Sequence, residues 1–119
     1  IPKENKKNLT VDRKEFIDSI ERVISVSLDR KEGVKFNIER EKLKLFVNSA
    51  NSGEGTENIK ANFSDNNLNI SFNSKYLVDI ASEIEDKNIL MSFKDSGSPA
   101  LIEDNSDKNS YYVIMPMKI

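Results

Sequence analysis

Apolar residues recur along this chain with two periods that alternate in a regular order. Leu9 and Val11 flank Thr10 at the spacing of a short strand. Phe16, Ile17, Ile20, Val23 and Ile24 then fall at i, i+1, i+4, i+7 and i+8, which predicts a one-faced amphipathic helix of roughly four turns, N-capped by Asp12. Its other face carries Arg13, Lys14, Asp18, Glu21 and Arg22, mixed in sign as a solvated face is. Past Gly33 the period drops to two. Val34, Phe36 and Ile38, a polar turn at Arg40 and Glu41, then Leu43, Leu45 and Val47 read as a hairpin with one buried face. Residues Asn51 to Gly55 read as a loop, after which Ile59, Ala61 and Phe63 form a third strand.

The plan then repeats. Leu68, Ile70 and Phe72 predict a strand, and Asn73 caps a helix with Leu77, Ile80, Ala81 and Ile84 on one face. Strands follow around Ile89 to Phe93, Ala100 to Ile102 and Tyr111 to Met117. A shift of 61 residues lays Asp12 on Asn73, Phe16 on Leu77 and Asp18 on Asp79. The chain therefore reads as a linker over residues 1–7 and one α+β domain over 8–119, built from two βαβββ repeats (8–63 and 67–119). Neither repeat is large enough to bury its apolar face alone, so the two must share a core. The helices would then lie side by side and present Arg13, Lys14, Arg22 and Lys75 outward from one face.

Composition narrows the chemistry. With 119 residues, 37% hydrophobic and 32% charged, the chain is sized for one soluble core. Its formal charge of -2 is no footprint for tight nucleic-acid or membrane binding. His and Cys are both absent, which removes thiolate nucleophiles, imidazole acid–base catalysis, disulfides and the usual zinc ligands. Asp104 to Asp107 faintly resembles a calcium loop, but its sixth position is Asn109 and its twelfth Met115, where Gly and Glu are required. Glu103 with Asp104, or Glu85 with Asp86, are neighbours that cannot flank one bond from adjacent strand positions. No catalytic residue, metal or cofactor is expected. Three Asn-x-Ser/Thr triplets, at Asn8, Asn62 and Asn69, read as chance matches. The basic N-terminus lacks an apolar signal segment, and the expectation is a piece of a longer intracellular, cytoplasmic protein.

The C-terminus stands apart. Tyr111 to Ile119 is the longest apolar run, with Pro116 between two Met. Proline belongs at a strand end, and flexible Met side chains suit a surface that accepts several partners. Tyr112-Val113-Ile114-Met115-Pro116-Met117-Lys118-Ile119, with Phe72-Asn73-Ser74-Lys75-Tyr76-Leu77 and Ser98-Pro99-Ala100-Leu101-Ile102-Glu103-Asp104, resembles the C-terminal domain of the bacterial beta sliding clamp family, processivity subunits of DNA polymerase III. The resemblance implies the DNA-clamp fold and a non-catalytic role as the third of three domains, in a homodimeric ring around duplex DNA. It implies a pocket for short peptides of the replicative polymerase, clamp loader and repair polymerases, formed here by Asn73, Tyr76, Pro99, Val113, Ile114, Met115, Pro116, Met117 and Lys118. It also implies DNA-facing Arg13, Lys14, Arg22 and Lys75. A subunit interface would draw on Ile24, Ser25 and Val26 at the end of the first helix and on an edge strand with Thr56, Glu57, Asn58 and Ile59. Two departures bear on detail: Lys118 stands where the family often has Arg, and Gly97 where some members place an aliphatic residue. Residues alone leave one rival, a β-rich surface-binding or adhesin-like module, which requires an export signal upstream.

Overall fold

A computed structural model describes residues 3–25, 33–49 and 53–117. Among these are eight strands and two helices in the order β1 (Lys7–Asp12), α1 (Arg13–Ile24), β2 (Gly33–Ile38), β3 (Lys42–Ser49), β4 (Gly53–Phe63), β5 (Leu68–Asn73), α2 (Ser74–Glu83), β6 (Asn88–Phe93), β7 (Ala100–Asp104) and β8 (Asp107–Ile114). The doubled βαβββ order of the sequence is present. Both helices start where a side chain takes up a free backbone N–H: the Asp12 carboxylate accepts from Glu15 at 2.9 Å, and the Asn73 carboxamide oxygen accepts from Lys75 at 2.9 Å and Tyr76 at 3.2 Å. Phe16, Ile20, Val23 and Ile24 of α1 and Leu77 and Ala81 of α2 are buried, as the 3.6 period requires. At twelve residues α1 makes a little over three turns, shorter than the spacing predicts.

The strands form one antiparallel sheet in the order β5-β2-β3-β4-β1-β6-β7-β8. Each repeat lends its first strand to the other. β1 pairs with β4 of its own half through Leu9, Thr10 and Val11, and with β6 of the other half from Lys7↔Phe93 to Asp12↔Asn88. β5 correspondingly pairs with β2, from Gly33↔Asn73 to Ile38↔Leu68. The segment just past β8 then meets β5 at a single bridge, where the Met117 N–H donates to the Ser71 carbonyl at 2.7 Å. The 61-residue shift carries Thr10 onto Ser71, so this bridge is the counterpart of the Thr10↔Asn62 pair in the first half.

The helices pack against each other, and α1 also lies over β3 and β4. Phe16 and Phe36 meet edge-on at 6.0 Å, Phe36 and Phe72 at 5.3 Å, and Phe72 and Phe93 lie at 6.4 Å, so one line of rings runs through both halves. The core is shared.

Three sequence expectations shift. β8 ends at Ile114 and not at Met117, because Pro116 has no N–H to continue a ladder. The loop expected at Asn51 to Gly55 is shorter. Gly53, Glu54 and Gly55 pair with Ser49, Asn48 and Val47, with Gly53 at φ 97°, which a residue without Cβ adopts freely. Residues 51 and 52 of that expectation lie outside the described residues. β1 begins at Lys7, one position before the expected start at Asn8.

Asp104, which read only as part of a polar loop, is 4% exposed. Its carboxylate accepts from the N–H groups of Glu85 (2.8 Å), Asp86 (3.2 Å) and Ser106 (3.0 Å) and from the Ser106 hydroxyl (2.7 Å). Those donors, the Glu85 amide first and the Ser106 hydroxyl next, hold its pKa down to about 2. It ties the end of α2 to the turn between β7 and β8. No group of three or more acidic side chains placed to hold a metal occurs among the described residues. No helix among them is long and apolar enough to cross a membrane.

Candidate functional site

The turn from Lys94 to Pro99, between β6 and β7, contributes to the lining of two depressions. One, of about 570 Å³, is lined by Lys3, Glu4, Asn5, Lys94, Ser98, Pro99 and Val113. The other, of about 620 Å³, is lined by Lys35, Asn69, Ile70, Ser71, Ser96, Gly97 and Met117. The turn is built locally: Asp95 accepts from the Gly97 N–H at 2.9 Å. The Ser98 hydroxyl and the Gly97 amide hold the Asp95 carboxyl below its usual range. It is also held from a distance. The Asn5 carboxamide donates to the carbonyls of Ser92 and Pro99, both at 3.0 Å, and Glu4 pairs with Lys94 at 2.8 Å. The hydrogen bond and charge of Lys94 depress the Glu4 carboxyl, and Glu4 raises Lys94 in return.

Side chains from Tyr111 to Met115, along the end of β8 and just past it, alternate in exposure. Tyr111, Val113 and Met115 are exposed, at 47%, 47% and 62%, while Ile114 is 4% exposed and packs in the core. Ile114 is therefore a correction to the expected pocket, because successive strand residues face opposite sides of the sheet. Pro99 and Val113 line the first depression and Met117 the second. Tyr76 is 59% exposed on the first turn of α2. The Asn73 side-chain oxygen is committed to capping that helix. Pro116 is half-buried, and Lys118 lies outside the described residues. Lys3, Glu4, Asn5, Lys94, Ser98, Lys35, Asn69 and Ser96 were not among the site residues expected from the sequence. They are polar and unpatterned, and only the fold brings residues 3–5 to a turn some 90 positions away.

The basic helix residues do not act as one set. Lys14 and Lys75 are exposed and form no ion pair among the described residues. Arg13 is half-buried, and its Nε donates to the Asp86 carbonyl at 3.2 Å. Arg22 is neutralised by Glu57, Nε to Oε1 at 2.8 Å, and its guanidinium also donates to the Ser19 hydroxyl at 3.1 Å. Asp18, Glu21 and Asp79 are exposed and dilute the remaining positive charge.

β4 has an open side. Its residues Gly53 to Lys60 pair with β3, but β1 covers only Ala61 to Phe63, so the earlier residues carry no strand partner on that side among the described residues. Thr56 and Asn58 are exposed, Glu57 is half-buried, and Ile59 points into the core at 8% exposure. Ile24 is likewise a core residue at 5%, Ser25 is exposed, and Val26 lies outside the described residues. The Arg22–Glu57 pair joins the helix end to this edge.

Residues 1–118 match the family described as DNA polymerase III beta subunit, C-terminal domain. The chain is 30% identical over 119 residues to the beta sliding clamp of Caulobacter vibrioides, covering all of this chain and 32% of that protein. It is 30% identical over 128 residues to the beta sliding clamp of Rickettsia felis, covering 34% of it. In three dimensions it superposes on a sliding clamp (DNA polymerase III subunit beta) from Bartonella birtlesii bound to griselimycin, with TM-score 0.96, 38% identity, and coverage of 100% of this chain and 32% of that one. A DNA polymerase III beta subunit from Thermotoga maritima matches with TM-score 0.93, 32% identity and the same coverage. The chain thus spans about a third of the length of the relatives it matches, 32% in the first of them.

Proposed function

Since the chain belongs to the family formed by the C-terminal domain of the DNA polymerase III beta subunit, we propose that it is the third domain of a sliding clamp, binding short peptides of polymerases, clamp loader and repair polymerases while the assembled ring encloses duplex DNA. The carrying observation is the strip formed by exposed Val113 on β8 and exposed Met115 just past its end, beside the depression that Pro99 shares with Val113. Exposed side chains of this size on a strand whose inward residue is fully packed form an apolar surface available to a ligand. Unbranched Met adapts to peptides of different shape. The role needs no chemistry, which fits a chain without His or Cys.

Lys14 and Lys75, set among Asp18, Glu21 and Asp79, would contact phosphates weakly and without reading bases, and such a surface lets DNA slide. The open side of β4 offers N–H and C=O groups for pairing with a strand of another protomer, and Thr56 and Asn58 flank that edge. Both roles belong to the assembled homodimeric ring in the cytoplasm.

The test is an NMR titration of this chain with a peptide of the Gln-x-x-Leu-Phe type, with griselimycin, which the Bartonella clamp binds, as competitor. Shifts are expected at Tyr76, Pro99, Val113 and Met115 to Lys118. Shifts confined to α1, to α2 beyond Tyr76 or to β4 would remove the pocket assignment.

A further inference from the structure

We propose that Met115 is a reversible oxidation site whose sulfoxide closes the groove to peptides; the inference rests on the peptide reading above. The chain has three Met and no Cys, so thioethers are its only sulfur. Their accessibility is sharply graded. Met91 is 2% exposed inside the core, Met117 is half-buried with its backbone held by Ser71, and Met115 is 62% exposed on the strip that peptides would cover.

A small peroxide reaches that sulfur without any opening of the fold. The sulfur lone pair attacks one peroxide oxygen, an S–O bond forms, the O–O bond breaks and water leaves; the thioether is oxidised and the peroxide reduced. The product is a polar, strongly accepting group. An apolar ligand side chain pressed onto it would bury that oxygen without a hydrogen bond. Since Met91 is shielded, the change is confined to the binding surface. A methionine sulfoxide reductase reverses it, taking two thiols to a disulfide and releasing water.

The chain is treated with hydrogen peroxide, the oxygen uptake of each Met is mapped by mass spectrometry, and affinity for the Gln-x-x-Leu-Phe peptide is measured before and after. Met115 gains one oxygen first, the affinity falls roughly tenfold or more, and the reductase restores it. In the Met115→Leu variant the ratio of affinities before and after treatment stays near one, whatever its starting value. Oxidation of Met117 or Met91 ahead of Met115, equal binding by the Met115 sulfoxide form, or a similar drop in Met115→Leu would each overturn the inference. An untreated chain that binds no peptide overturns the groove reading itself, and this inference with it.

Discussion

The exchange of β1 and β5 between the repeats makes the two halves one cooperative unit, and the contact that tests it is Phe36 with Phe72. Phe36 belongs to the first repeat and Phe72 to the second. Their rings lie 5.3 Å apart at 71°, both 0% exposed. Edge-to-face pairs contribute about 0.5–1.5 kcal/mol beyond the area they bury. Phe36→Leu and Phe72→Leu should each destabilise by about 1–3 kcal/mol, small enough to leave a domain of ordinary stability folded. The double variant should then lose about 0.5–1.5 kcal/mol less than the sum of the singles. Urea unfolding suits the measurement. The chain has no Trp, and its three Tyr (Tyr76, Tyr111 and Tyr112) all lie in the second repeat, whereas far-UV circular dichroism follows both helices. The two signals should give one midpoint, with an m-value of about 1–3 kcal/mol per molar urea. Separate midpoints, or a coupling below about 0.3 kcal/mol, would refute a shared core.

Asp104 makes stability acid-sensitive. Its carboxyl titrates at about 2 when folded against an ordinary 3.8. The unfolded chain therefore binds that proton more readily, and the stabilisation present above about pH 4 disappears as pH falls through about 2. Asp104→Asn should lower the urea midpoint at neutral pH and flatten its decline in that window, and an unchanged slope would count against the latch. Ile114→Ala should cost about 2–5 kcal/mol of stability as a core truncation, while Val113→Ala should cost less than about 0.5 kcal/mol yet weaken peptide binding; the reverse pattern in urea melts and titrations would mean the pleat is misassigned. Asn73→Ala should cost about 1 kcal/mol through loss of the α2 cap, with Asn73→Ser restoring most of it. At Gly97 an added Cβ would meet only Asp95 Oδ1, at 3.8 Å, and φ is not positive. Gly97→Ala should accordingly stabilise by about 0.4–1 kcal/mol in the same melts.

What could be read in advance follows from which interactions are local. Caps and periods involve neighbours within four positions, so Asp12, Asn73 and the alternation of Val34, Phe36 and Ile38 were legible. The run Tyr111 to Met115 was not. With no polar residue to mark the outer face, any of its members could face inward, and only the Ile102↔Tyr112 and Ala100↔Ile114 pairings fix which do. The tie of Arg13 to the Asp86 carbonyl was out of reach for a related reason, since on a first helical residue the side chain's partners depend on the neighbouring loop. The exchange of first strands was beyond local patterning altogether, since β1 and β5 alternate identically whichever strands they pair with. Yet it decides how the surfaces relate. With β1 between β4 and β6, residues 3–6 are carried directly onto the turn at Pro99, so the segment that read as a linker becomes a wall of the groove. The same insertion covers only Ala61 to Phe63 of β4 and leaves the rest of that strand open. One topological feature thus builds the groove and exposes the edge, and a change in the entry segment at Asn5 should alter peptide binding while leaving the β4 edge untouched.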